Sequence, residues 1–163
     1  MSDELSRVRR AYEVGRLRGA LPWLLAPALL SLLSCTCCVA RAELVVLTVS
    51  LAALLVGFAW RGGAAGAAAK AGLAAGLVAY LAPIACPLPA MCVGAGLFTG
   101  LVIGLVARTR ASRRVEFIGV ACVVAALTGS LGCLLVGLAG IAAMGVALAV
   151  GAVPFVLVPA RSV

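Results

Sequence analysis

The sequence predicts an all-α integral membrane protein: a polytopic bundle of six transmembrane helices, N-in and C-in. Three observations predict this class. Of 163 residues, 65% are hydrophobic and only 11% charged, where a soluble domain carries about 45–50% and about 25%. The apolar residues fall in runs close to the roughly 20 residues a helix needs to cross a bilayer. The basic residues border those runs instead of spreading through the chain.

The elements follow in order. Residues 1–19 form a basic cytoplasmic segment, and residues 20–160 a single transmembrane bundle. The segment reads as a short helix lying on the inner leaflet. Ser2 caps it, Asp3 and Glu4 suit its positive end, and Leu5, Val8 and Tyr12 share one face. The first span covers 21–40, with Pro22 suited to its start and Pro27 expected to kink it. The second covers 43–60. The third, 70–85, is rich in alanine and glycine, and the fourth covers 91–107. Pro83, Pro87 and Pro89 mark the outer turn between these two.

From Val115 to Val158 the chain is uncharged after Glu116. As one helix it would be about 65 Å long, roughly twice the hydrocarbon thickness. It therefore folds back into spans 115–134 and 138–158. The turn is expected in Thr128-Gly129-Ser130-Leu131-Gly132 or near Gly137. Spans three and four are short, so four is the alternative count.

The charges test the count independently. With the N-terminus inside, twelve of the thirteen Lys and Arg fall on the cytoplasmic side, and only Arg41, beside Glu43, falls outside. This is the separation the positive-inside rule asks for. Trp23, Trp60, Phe117 and Phe155 sit near the inner interface and Tyr80 near the outer one, and the amphipathic rings of Trp and Tyr prefer that depth. Residues 1–42 also imitate a secretory signal: Ala40-Arg41-Ala42 resembles a cleavage site, and Leu32-Leu33-Ser34-Cys35 a lipobox. The long charged start and Pro27 argue against processing. A prokaryotic inner membrane is the expected location.

Helices in lipid gain little from apolar burial against each other, so close approach at small residues holds them together. Gly72 and Gly76 recur every four residues on helix three, and Gly96, Gly100 and Gly104 on helix four. We expect these rows to pack helices within one bundle. A seam between copies in a homo-oligomer, or a pore lining, is the alternative.

The inventory also excludes chemistry. There is no histidine, and none of the five acids sits inside an apolar run. Imidazole catalysis, paired catalytic carboxylates and an intramembrane ion-coupling charge are all missing. We therefore expect no catalytic residue, metal or cofactor. The +8 charge does not form one basic face, so nucleic acid is not the partner. The lipid bilayer explains it better, together with a protein partner docking at Arg108, Arg110, Arg113 and Arg114.

Cysteine is the one chemical signal. Cys35, Cys37, Cys38, Cys86, Cys92 and Cys133 fall at the outer end of this topology, and only Cys122 lies mid-membrane. An oxidising compartment would join them as disulfides. Cys86 with Cys92 would staple the turn, and a helix-one cysteine would reach Cys133. Inert buried thiols are the second reading. The third is chemistry. The spacing in Cys35-Thr36-Cys37-Cys38 resembles the redox pair of quinone-linked membrane thiol oxidoreductases. The Cys37-Cys38 pair resembles the vicinal cysteines of mercuric-ion uptake membrane proteins. Each resemblance covers about four residues, and no site is carried over from either.

The leading function is a non-enzymatic structural, interaction or membrane-tethered regulatory component. The alternative is a thiol redox or soft-metal protein using the outer cysteines. The second alternative is a small-solute channel or permease, with Thr36, Thr99, Thr128 and Ser130 as its polar groups.

Overall fold

A computed structural model describes residues 2–35, 41–85, 89–110, 114–133 and 138–157. Among these residues the chain is helical, with no strand. The helices are α1 (Ser2–Cys35), α2 (Arg41–Arg61), α3 (Gly63–Ala85), α4 (Pro89–Arg110), α5 (Arg114–Cys133) and α6 (Leu138–Leu157). Five of them, α2 to α6, are long and apolar enough to cross a membrane. In α1 the apolar run is shorter, Leu21–Leu33.

Three boundaries differ from the sequence reading, each for a physical reason. The basic segment and the first span are one continuous helix of 34 residues that runs through Pro22 and Pro27. Pro22 therefore does not start a helix. A proline removes one intrahelical bond, and neighbouring groups in a bundle compensate for it. Helix α3 begins at Gly63 and not at Lys70. Gly62 and Gly63 take φ of 63° and 55°, the left-handed region, and reverse the chain between α2 and α3 within a single non-helical residue. Only glycine takes two successive positions of that kind at little cost. The Gly62 N–H donates to the Phe58 carbonyl at 3.0 Å, closing the end of α2. Finally, Thr128 to Gly132 is helical and belongs to α5. The other expected turn position, near Gly137, lies outside the described residues.

Packing places α3 and α5 in the middle. Helix α4 lies chiefly on α6, α3 on α5, and α1 on α2. One core joins α3 to α6 through small residues such as Ala68, Ala79, Ala107, Ala121 and Ala125, with Met144 and Leu148. A second joins α1, α2, α3 and α5 through larger ones: Leu30, Leu44, Leu51, Leu55, Leu73 and Tyr80. Of the five long apolar helices, α5 is the most enclosed and α2 the least.

The glycine rows face helices of the same chain. A Cβ at Gly72 would lie 2.9 Å from the Ala121 Cα, and one at Gly76 would lie 2.7 Å from the Thr128 Cβ. On the other seam, a Cβ at Gly96 would lie 2.6 Å from the Met144 carbonyl oxygen. Gly100 would meet the Leu148 carbonyl, and Gly104 the Phe155 ring. Outward, Val45, Val46, Val49, Phe98, Leu105, Val146 and Val150 are exposed. Together they form an apolar surface of the kind hydrocarbon covers.

Candidate functional site

The helix directions separate the bundle into two chemically distinct ends. Helix α4 runs from Cys92 toward Arg108, about 24 Å along its axis, and α5 returns from Arg114 to Cys133 over about 28 Å. The arginine turn and the two cysteines are therefore at opposite ends.

At the basic end, Arg7, Arg10 and Arg18 are exposed on α1, Arg61 closes α2, Lys70 lies two turns into α3, Arg108 is in the last turn of α4, and Arg114 starts α5. Arg110 is the last residue of α4, and Arg113 lies outside the described residues. Between α1, α2 and α3 is a cavity of about 520 Å³, lined by Tyr12, Trp23, Arg61, Gly62, Gly66 and Lys70 among others. The Lys70 Nζ stands 5.3 Å from the Trp23 ring centroid, and the Arg108 Cζ stands 5.5 Å from that of Phe155. Both distances suit a cation on an aromatic face. Lys70 was expected at the start of the third span; it lies two turns inside α3, exposed, with its ammonium over Trp23. Such cations bind phosphate or carboxylate oxygens by charge-assisted hydrogen bonds.

At the other end the described sulfurs converge. Cys92 is the fourth residue of α4 and Cys133 the last of α5. Both are fully buried. The Cys133 Sγ lies 3.1 Å from the Cys92 Sγ and 3.6 Å from the Met144 Sδ of α6. The Cys133 thiol can donate to either. Both cysteines are free thiols, since a disulfide bond is about 2.05 Å long. The expected partner of Cys133 was a helix-one cysteine, but its neighbour here is Cys92. Cys37, Cys38 and Cys86 lie outside the described residues, as does the side chain of Cys35. Cys122 is half-buried in the middle of α5.

Met144 was missed, because a methionine in an apolar run reads as filler. The spacing of its neighbours becomes meaningful only once the helices are placed. Gly129 stands four residues before Cys133, and Gly96 four residues after Cys92. Each opens its own helix face toward Met144. A Cβ at Gly129 would lie 2.8 Å from the Met144 Sδ.

The hydroxyls named for a pore are committed elsewhere. Thr128 and Ser130 donate to carbonyls of their own helix, Val124 at 2.8 Å and Ala126 at 2.6 Å. Thr99 donates across to the Ala75 carbonyl of α3 at 3.4 Å. All three side chains are buried, and Thr36 lies outside the described residues. Isolated hydroxyls in apolar helices bond to backbone in this way.

No protein-family model, no curated protein and no solved structure matches this chain.

Proposed function

We propose that this protein is a non-enzymatic component of a prokaryotic inner membrane that holds an acidic segment of a cytoplasmic protein against its basic end. On this reading both termini lie in the cytoplasm and the bundle spans the membrane six times, α1 included. One observation carries the proposal: cations from five helices surround one end, beside a cavity of about 520 Å³ lined by Arg61 and Lys70. Carboxylates meeting that end would pair with guanidinium and ammonium groups at the membrane surface, and the pairing would weaken as salt rises. The lack of histidine and of acids within the apolar runs supports a role in binding over one in catalysis.

The test is a photo-cross-linking side chain at the exposed Thr109, between Arg108 and Arg110, in growing cells. The expected result is an adduct with a soluble acidic protein that disappears in the R61Q/K70Q/R108Q/R114Q variant. Adducts with lipid alone would overturn the reading, and so would a protein adduct that survives neutralisation.

A further inference from the structure

The sulfur end has chemistry of its own, independent of the basic end. Three sulfurs from three helices meet where no water-exposed surface remains: Cys92 and Cys133 are 0% exposed and Met144 is 1%. We propose that Cys92, Cys133 and Met144 form a binding site for a monovalent soft metal ion, Cu(I).

The donor set points to the ion. Thiolate and thioether sulfurs select Cu(I) over the harder divalent ions. The two separations from Cys133 are compatible with a three-coordinate site. Three sulfurs at about 2.3 Å from one ion lie about 4 Å apart. The separations of 3.1 Å and 3.6 Å would open by under about 1 Å, within reach of rotation about the side-chain bonds. A linear two-sulfur site would hold its donors on opposite sides of the ion, about 4.6 Å apart. That is farther from what is seen.

Charge points the same way. The surroundings are apolar, with Ala79, Leu148 and Ile141 in the same cluster, and a net charge there is costly. Cu(I) displaces the proton of one thiol to water. The resulting thiolate, the second thiol and the thioether leave the complex neutral. No electron changes hands. Cys92 stands about one turn from the start of α4, so the ion has a short path from the nearer boundary.

The backbone is shaped for the third donor. Gly129 admits the thioether beside Cys133, and Gly96 lets the Met144 backbone approach α4. A disulfide would need only the two cysteines. The third sulfur and its two glycines favour the metal.

The decisive material is the full chain in nanodiscs, with Cys35, Cys37, Cys38 and Cys86 changed to serine and Cys122 to alanine, titrated with Cu(I) under reducing conditions against a colorimetric chelator. We expect one ion per chain in an all-sulfur shell by X-ray absorption. Cys92→Ala or Cys133→Ala should abolish binding. Met144→Leu, which keeps the volume, should weaken it by about a hundredfold, since outer partners alone are worth about 10–100-fold. In the otherwise unaltered chain, replacing Cys92 and Cys133 together should lower bound copper by one ion, which keeps the test open if the multiple variant does not fold. No stoichiometric binding by the folded variant, an unchanged count in the double variant, or unchanged affinity in Met144→Leu would each overturn the site. So would thiol trapping in intact cells that finds Cys92 and Cys133 already joined to each other.

Discussion

The two ends of this bundle use opposite designs. At the basic end the chemical groups are long, exposed and spread over several helices, and their charges act through water. At the sulfur end they are short and fully buried, with the Cys133 sulfur within 3.6 Å of both of the others. The first design tolerates small shifts of a helix, because a lysine or arginine stem adjusts. The second does not, because its geometry is set by how closely three backbones approach. Damage to helix packing should therefore erase the sulfur end and spare the basic end, while charge changes should do the reverse.

The largest effect should come from the seam between α3 and α5. A Cβ at Gly72 meets the Ala121 backbone, and one at Gly132 would lie 2.5 Å from the Tyr80 carbonyl oxygen. Backbone cannot step aside, so Gly72→Leu and Gly132→Ala should each destabilise the bundle by about 1–3 kcal/mol or more. Unfolding in mixed micelles measures this. Gly145→Ala is the control: nothing lies within 4 Å of that position, and the midpoint should hold or rise slightly, since alanine is the better helix former.

Gly129→Ala sharpens the contrast three residues from Gly132. Its new methyl meets the Met144 Cε and Sδ, the far end of a flexible side chain, and lies 3.1 Å from the Ala79 Cβ, which has to give by a few tenths of an ångström. Met144 can swing away, so the cost should stay below about 1.5 kcal/mol. The thioether would then leave Cys133. The expected signature is a nearly unchanged unfolding midpoint with weakened copper binding. A large stability loss would mean that Met144 is locked in place as packing.

The converse test acts on charge. In α3, Lys70 lies over Trp23 and is exposed, so Lys70→Gln should cost about 0.5–1 kcal/mol at most. It should lower the salt sensitivity of binding at the basic end and leave the cysteine titration untouched.

What the sequence made legible follows the same division. Charge and hydropathy act over whole segments, so the all-helical class was readable without coordinates, as was the placing of Arg108 and Arg114 near the ends where α4 stops and α5 starts. Side-chain convergence was not. Cys92 and Cys133 are 41 residues apart, and no local pattern pairs them. Glycine misled in one place and guided in another. Around Thr128 to Gly132 it was read as a turn, by rules that hold in water. In an apolar bundle Gly129 and Gly132 are where Met144 and Tyr80 press against α5. The start of α3 was hidden because Ala64 to Ala69 is only weakly hydrophobic, while the left-handed pair at Gly62 and Gly63 starts the helix all the same.

The smallest effect tests whether α1 belongs to the bundle at all. Its apolar run is short, and a contact that fastens it is the Tyr80 hydroxyl donating to the Leu30 carbonyl at 3.3 Å. Both residues are buried in the Leu-rich core. Tyr80→Phe removes the donor and keeps the ring. Interhelical hydrogen bonds in membranes are worth about 0.6 kcal/mol on average, so the global midpoint should move only slightly. Local opening should respond more, because this bond ties α1 to α3 across the bundle. Faster hydrogen exchange confined to the amides of α1 around Leu30 would place that helix at the edge of the stable unit. Exchange that rises equally in α3 and α5 would instead make the tyrosine part of the central seam, and α1 as firmly built in as the rest.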